Sequence, residues 1–310
     1  MRWTTIEPLV FLWWNTSLSP PVSKNRTSAE DLAFVVSLVG ELRAEYGFAA
    51  FGLGEVCSED LRAIQAGVGD AALSVFDATD RCGRRKYDTA ILYDRTKLVF
   101  SEPRSFEEKF GKTTLKLGEM ARFVTTGSGE VVDVVVSHWP GRRTSPELDV
   151  ARDELGTLLR RSLEYVRNAE ARERPYVILM GDFNDDPYSR ALTGHLLATR
   201  DRELARRRAE FFYNPFWRCL GESLPSVMAT AEQGVCGTHY YPSGASSHWF
   251  TFDQIIFSSA FLGDGPIVLD DAHSRILSTP ELKRRLLDKK QIFDHFPVLS
   301  AVTLRSPSCL

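Results

Sequence analysis

Asp182, Asn184, Asp185 and Asp186 stand together in the stretch GDFNDDP (181–187), directly after the apolar run YVILM. A buried strand ordinarily ends in a turn, whereas crowded carboxylates repel one another unless a cation binds among them. A polar residue at or near the end of an apolar run recurs along the chain: Asn15 after VFLWW, Glu55 in FGLGE, His138 after VVDVVVS, Asp253 before QIIF, and Asp294 with His295 before FPVL. Taken singly, each has an ordinary reading, as a turn residue or a loop histidine. Repetition changes that weighing. Such a set offers oxygen ligands for a hard cation, a carboxylate base for water, and imidazole and amide donors for phosphate oxygens. Its oxygen donors suit magnesium better than zinc, which favours thiolates.

The elements that must position these residues can be read from periodicity. Strands are expected at 10–15, 48–56, 72–77, 89–94, 96–100, 119–126, 131–138, 176–180, 251–259 and 294–304. An amphipathic helix is expected over 27–46, with Thr27 and Glu30 as a capping box, Leu32, Val35, Val36, Val39 and Leu42 on one face, and Gly47 as its stop. Ser145 and Pro146 open a second helix that carries Leu148, Ala151, Leu155, Leu158, Leu159 and Val166 on one face, and a third spans 280–290. Short separations between the middle strands imply hairpins. Together these features predict an α/β chain in which two packed mixed β-sheets are flanked by helices. No long Pro/Gly/Ser linker divides it, so residues 1–310 are read as a single catalytic domain.

Composition narrows the classes. The chain has 310 residues, 43% of them hydrophobic and 25% charged, which fits a globular protein and excludes a disordered or fibrous one. A net charge of -3 excludes a wholesale basic coat, so a polyanionic partner must meet a local patch. The five cysteines are odd in number and form no C-x-x-C spacing, which argues against a disulfide frame or a zinc knuckle and for a reducing, cytoplasmic setting. The first twenty residues are broken by Glu7, Pro8 and Asn15 and read as a strand rather than a signal peptide. No stretch reaches the ~18 unbroken apolar residues of a membrane span.

The motifs WWNTS (13–17), GLGEV (52–56), YDTAILYDR (87–95), SHWPGR (137–142), GDFNDDP (181–187), TFDQIIFS (251–258) and DHFPV (294–298) occur in one order across nearly the whole chain. In that order the sequence resembles the endonuclease/exonuclease/phosphatase superfamily, including its deoxyribonuclease I-like and exonuclease III-like branches. The resemblance implies a four-layer α/β sandwich, a catalytic Mg2+ for which Mn2+ can substitute, and cleavage of a phosphoester. It implies that Glu55 is the main carboxylate on the metal, with Asn15 and Asp294 beside it. Asp182, helped by Asn184, would orient or deprotonate the attacking water. His295, oriented by Asp253, would be the acid/base or phosphate-stabilising histidine, and His138, steadied by Asp88, would meet the phosphate from the other side. Asp185 and Asp186 either share in the site or, with Pro187, cap a following helix. Many members have Ser before the Asp-His pair, where Phe293 stands here, so a hydroxyl is missing from the site's edge.

Substrate choice is less legible. Arg200, Arg202, Arg206, Arg207, Arg208 and Arg218 alternate with Phe211, Phe212, Tyr213, Phe216 and Trp217. This segment reads either as a grip on a phosphate backbone with stacking on bases, or as a solvated helix face followed by core aromatics. A second basic run, Lys283, Arg284, Arg285, Lys289 and Lys290, reads as a solvated helix face. The loop 237–254 brings His239, Tyr240, Tyr241, His248 and Trp249 close to Asp253 in sequence. Asp185 and Asp186 replace the Tyr-Arg of the inositol-phosphatase box, which disfavours that branch, and no secretion or membrane feature favours a sphingomyelinase. The expected activity is hydrolysis of nucleic acid, DNA before RNA, by a nuclease without a membrane partner. A phosphatase or phosphodiesterase on a small or lipid-linked phosphoester is the alternative, and an inactive binding module stands third.

Overall fold

In the computed structural model the described residues are 3–20, 27–79, 81–82, 85–111, 113–142, 150–221, 235–244 and 247–307. Strand β1 (Trp3–Asn15) is followed by α1 (Ala29–Tyr46), β2 (Ala50–Gly54), α2 (Ser58–Val68), β3 (Leu73–Ala78) and β4 (Thr89–Asp94). A long hairpin, β5 (Leu98–Phe110) and β6 (Thr113–Thr125), leads to β7 (Val131–His138), α3 (Val150–Ala169) and β8 (Tyr176–Asp182). Then come β9 (Ala198–Thr199), α4 (Arg202–Arg207), β10 (Phe212–Tyr213), β11 (Asp253–Ser258), β12 (Ile267–Ile276), α5 (Pro280–Leu287) and β13 (Val298–Pro307).

Two mixed sheets result. One has the order β12-β13-β1-β2-β4-β3, the other β9-β10-β11-β8-β7-β6-β5. Strand alternation builds the layers. In β1, Phe11 and Trp13 enter the core between the sheets, while Leu12 and Trp14 enter the core beneath α1, α2 and α5. In β7 and β8, Val134, Val136, Ile178 and Met180 face the first sheet, while Val135, Val177 and Leu179 pack with Leu155, Leu159 and Leu163 of α3. The molecule is thus a four-layer α/β sandwich, as expected.

The same alternation explains the strand ends. Asn15, His138, Asp182 and Asp253 continue the parity of Phe11/Trp13, Val134/Val136, Ile178/Met180 and Ile255/Phe257, so they emerge between the sheets where the apolar filling stops. Register brings them level. Asp182 lies opposite His138 on one side and Asp253 on the other, and Asn15 lies opposite Gly54.

Several boundaries differ from the sequence reading. Ser28, not Thr27, caps α1, its hydroxyl accepting the Asp31 N–H at 3.1 Å. Strand β8 runs on to Asp182, two residues past the apolar run, because its backbone stays paired on both sides. β13 begins at Val298 rather than 294, because the preceding residues pair elsewhere: His295 bridges His239, and Phe296 N–H donates to Thr238 O at 2.7 Å. Helix α5 stops at Leu287, so Lys289 and Lys290 lie beyond it. Elements α2 and β12 were not anticipated. The proposed helix opening at Ser145 and Pro146, with Leu148, falls outside the described residues, as does Cys309. Among the described residues Cys57, Cys219 and Cys236 are free thiols, and no helix is long and apolar enough to cross a membrane.

Candidate active site

At the floor of the site, Trp13 lies across β2, where glycines are required. A Cβ on Gly52 would meet its Cε3 at 2.8 Å, and one on Gly54 its Cζ2 at 2.9 Å. The glycines of GLGEV therefore make room for an indole whose Nε1 donates to Asp253 Oδ1 at 2.8 Å. The other oxygen of Asp253 meets His295 Nδ1 at 2.6 Å, and the Asp253 N–H donates to Thr238 Oγ1 at 2.9 Å. Every polar atom of this buried carboxylate is engaged, which fixes the plane of the imidazole.

A second pair stands across the site. His138 Nδ1 meets Asp88 Oδ2 at 2.7 Å, and Lys116 Nζ lies 3.9 Å from Asp88 Oδ1. Both imidazoles turn Nε2 towards Asp182 Oδ2, His295 at 3.6 Å and His138 at 3.8 Å. Asn15 Nδ2 donates to that same oxygen at 3.1 Å, and the Asn184 N–H donates to Asp182 Oδ1 at 2.8 Å. Glu55 Oε1 faces His138 Nε2 at 4.0 Å, and Asp294 Oδ1 lies 3.7 Å from His295 Nε2. All eight residues expected at the site are brought to one end of the sandwich.

Burial, opposed or aided by neighbouring charges, sets the electrostatics. It pushes the Glu55 carboxyl up to about 7, against the attraction of His138 and with the repulsion of Asp294 and Asp88. For His138 burial alone would favour the neutral ring, but Asp88, Asp182 and Glu55 outweigh it and raise the imidazole to about 10. His295 is raised in the same way, burial being overcome first by Asp253 and then by Asp182 and Asp294. Asp182, although buried, is held below the usual carboxylate range by His295 and His138. Burial and the charge of His295 drive His239 the other way, down to about 4.

Backbone strain clusters here as well. Among the described residues five non-glycines have left-handed φ, and three of them are Ser17 (57°), Glu55 (52°) and Asn184 (51°). Such conformations cost of order 1–3 kcal/mol each and persist where surrounding structure imposes them. Ser17 also supplies what Phe293 does not. Its hydroxyl donates to Asp294 Oδ1 at 2.9 Å, while Phe293 is buried against Trp14 and Phe34. Sequence reading did not single out Ser17, Thr238 or the Trp13 indole, because none of them stands out by residue type.

Asp185 and Asp186 cap no helix. Asp185 pairs with the buried Arg152 of α3 at 2.9 Å, and Asp186 accepts the Thr251 N–H at 2.8 Å and Arg142 Nη2 at 3.1 Å. They tie the Asn184 turn to α3 and to the segment entering β11. The arginines of α4 lie away from the site. Phe212 pairs with Ser258, at the opposite end of β11 from Asp253, and Arg174, which precedes β8, donates to Arg206 O. Arg206 and Arg207 pair with Glu203, and Arg208 with Glu210. That position, about 20 Å along β8 at 3.3 Å per residue, supports a solvated face rather than a grip beside the site. Arg284 and Arg285 likewise pair with Glu281.

Among the described residues, two groups of histidine and carboxylate side chains could hold a metal by proximity: Asp182, Asp253 and His295, and His239, Asp294 and His295, each with ligand atoms within 4.8 Å of one another. In the first, both Asp253 oxygens are already taken by Trp13 and His295. The expected set of Glu55, Asp294 and Asn15 offers oxygen donors that run from the buried Asn15 out to Asp294, whose side chain is 48% exposed.

Comparison with known proteins supplies the family. A profile described as Endonuclease/Exonuclease/phosphatase family matches residues 24–286. No curated protein matches the chain. Among solved structures, the human Nocturnin catalytic domain with bound sulfate is 14% identical, with 98% of this chain and 97% of that one covered and a TM-score of 0.60. D. rerio TDP2 complexed with single strand DNA product is 17% identical, with 96% and 99% covered and a TM-score of 0.59. A Bacteroides thetaiotaomicron mannosyl-6-phosphatase is 14% identical, with 95% and 99% covered and a TM-score of 0.58. At these identities the structural likenesses establish the fold alone.

Proposed function

The chain belongs to the endonuclease/exonuclease/phosphatase family of phosphoester hydrolases, and from that premise we propose that it is a Mg2+-dependent phosphodiesterase that hydrolyses nucleic acid, DNA before RNA, with residues 1–310 as one catalytic domain. The observation that carries this reading is Asp182 Oδ2 held between two imidazole Nε2 atoms at 3.6 and 3.8 Å, each imidazole backed by its own carboxylate.

The donor set fits the cation. Glu55 and Asp294, with the amide of Asn15, would hold Mg2+ through oxygen, leaving positions for water and phosphate. A carboxyl that burial and its neighbours push up to about 7 is one that a cation would ionise. When bound, the ion would neutralise charge on the phosphate oxygens. Asp182, fixed by the Asn184 N–H, orients the attacking water and accepts its proton. As the new bond from water oxygen to phosphorus forms, the bond to the departing ester oxygen breaks. His295, aligned by Asp253, gives that oxygen its proton or stabilises the phosphate. His138, aligned by Asp88, meets a non-bridging oxygen from the other side. A diester, with one departing oxygen and two non-bridging oxygens, makes use of both imidazoles.

For the substrate class, the TDP2 structure holds a single strand DNA product, and we extend that class to this chain. A second reading is hydrolysis of a small phosphoester, as the name of the mannosyl-6-phosphatase states for that protein. It is favoured by the internal pairing of Arg206, Arg207 and Arg208 far from the site, which leaves that segment unavailable to hold a polyanion at the site. The purified chain with Mg2+, offered supercoiled plasmid, linear and abasic duplex, single strand, RNA, sugar phosphates and phosphoinositides, tests the two. Cleavage of plasmid or oligonucleotide supports the nuclease. Turnover of sugar phosphates or phosphoinositides alone replaces it with the second reading.

A further inference from the structure

His239 has no task in the chemistry above, yet it is built into the site. Its ring stacks on Phe252, with centroids 5.1 Å apart at 18°, and meets the His295 ring at 4.4 Å. Its backbone bridges that of His295. Its Nδ1 is shut off from solvent without a hydrogen-bond partner, an arrangement that is costly unless something occupies it. That nitrogen lies 3.9 Å from Asp294 Oδ2, and His295 Nε2 lies 3.7 Å from Asp294 Oδ1.

We propose that His239 Nδ1, Asp294 and His295 Nε2 form a second metal site, one for a borderline ion such as Zn2+, and that filling it switches the phosphodiesterase off. The existence of the site does not depend on the reading given under Proposed function; only its inhibitory effect rests on that reading. Two imidazole nitrogens and one carboxylate oxygen are the donors that zinc takes with a fourth position left to water, and they are a poor set for Mg2+, which prefers oxygen. In tetrahedral zinc sites with bonds near 2.0–2.1 Å, ligand atoms lie about 3.3 Å apart. Here each nitrogen lies 3.7–3.9 Å from one oxygen of Asp294 and the three ligand atoms lie within 4.8 Å of one another, so the ion must draw them together. The outer shell is also in place, because Asp253 holds Nδ1 of His295 and leaves Nε2 to face the ion. Binding releases to solvent the proton that His295 Nε2 carries. It also withdraws His295 from proton transfer and Asp294 from the Mg2+ set, so inhibition follows from the shared ligands.

The test uses metal alone, without substrate. Zn2+ is titrated into the full chain against a chromophoric chelator, and Co2+ is titrated separately while its visible ligand-field absorption is followed. The proposal expects one ion per chain in the wild type, at least tenfold weaker binding in His239→Ala and in His239→Gln, and loss of the Co2+ band in both. The Gln variant retains bulk against Phe252 should Ala disturb the packing there, and far-ultraviolet circular dichroism checks the fold of each. With Mg2+ saturating, Zn2+ should inhibit wild-type cleavage at concentrations at least tenfold below those needed for either variant. No stoichiometric Zn2+ binding by the wild type, or unchanged binding by both folded variants, overturns the site. Zinc binding that leaves the cleavage rate unchanged overturns its inhibitory role. Because the chelator and absorption readouts need no turnover, a chain that cleaves no nucleic acid would refute the nuclease reading while leaving the metal site measurable.

Discussion

Two histidine–carboxylate pairs flank Asp182, with nearly equal bonds of 2.6 Å for His295 and Asp253 and 2.7 Å for His138 and Asp88. Their surroundings differ. Asp253 is 0% exposed and is held by the Trp13 indole and the Thr238 hydroxyl, while His295 is covered by His239. Asp88 instead borders a small cavity that Tyr87, Thr89, Lys116 and His138 line, with the Lys116 ammonium 3.9 Å away. One dyad is held by an indole and a hydroxyl within the core; the other has beside it a small cavity and the Lys116 ammonium, itself 4.5 Å from the centroid of the Tyr87 ring. From these unequal frames we infer that proton transfer falls to His295 and charge stabilisation to His138.

The largest effect tests the locked pair. His295→Ala is expected to lower kcat on a nucleic-acid substrate by about 10³–10⁴-fold, towards the upper range for a general acid. Asp253→Asn should reproduce most of that loss, and the double variant should be no worse than His295→Ala, because residues acting as one unit are not additive. Losses that multiply would show that the two act separately.

The open pair should respond less. His138→Ala is expected to cost about 10²-fold in kcat, and Asp88→Asn only about tenfold, since Glu55 and Asp182 still face the ring at 4.0 and 3.8 Å. Equal losses for Asp88→Asn and Asp253→Asn, measured on one substrate, would erase the distinction between the two frames.

What the sequence made legible follows the same division. Asn15, His138, Asp182 and Asp253 could be read because each extends the alternation of an apolar strand, and alternation is a local property. The parts that lock the dyad could not be read in this way. Trp13 looks like any core aromatic, Thr238 sits in an irregular loop, and the Ser17 hydroxyl reaches Asp294 from the other end of the chain. Among the elements, α2 escaped notice because of its fully apolar residues only Leu61 and Ile64 are buried. β12 escaped because it is an edge strand whose middle, DDAHSR, is polar and out of register with β13 between Asp270 and Arg275. The Arg206 to Arg208 cluster illustrates the converse: a conspicuous pattern in sequence that the fold places at the far end of the sandwich.

A third test reads the charge of the site without substrate. Glu55 is held at about 7 in the folded protein against an ordinary 4.5, so the folded state binds more protons than the unfolded one between those values. Stability present below pH 4.5 should therefore be lost as pH rises through 7, by up to about 3 kcal/mol at 1.36 kcal/mol per pH unit. His138, raised from 6.5 to about 10, continues the decline above neutrality in the same direction. In urea melts in chelator, Glu55→Gln should remove the lower contribution and weaken the upper one, because Glu55 helps to raise His138. His239, held at about 4 against an ordinary 6.5, contributes in the opposite sense over nearly the same window. The Glu55 contribution is therefore read from the difference between wild type and Glu55→Gln, and a difference that rises between pH 4.5 and 7 would contradict this electrostatic picture.

The smallest effect is expected far from both dyads. Replacing Arg206, Arg207 and Arg208 together by Ala should leave kcat unchanged and leave the slope of log K against log salt within one phosphate contact, about 0.9 on duplex or 0.7 on single strand. A slope shallower by two or three contacts would mean that long substrates extend to the far end of the sandwich.

Central to the account is a cation held by Glu55, which lets Asp182 and the two imidazoles cleave a phosphodiester. Its most direct measurement is cleavage of a 5′-labelled DNA oligonucleotide by the full chain in Mg2+, in EDTA, and by folded Glu55→Ala in Mg2+. The account expects defined cleavage products in the first case and a loss of at least about 10³-fold in the other two. Cleavage that persists in EDTA, or in Glu55→Ala at the wild-type rate, would contradict it.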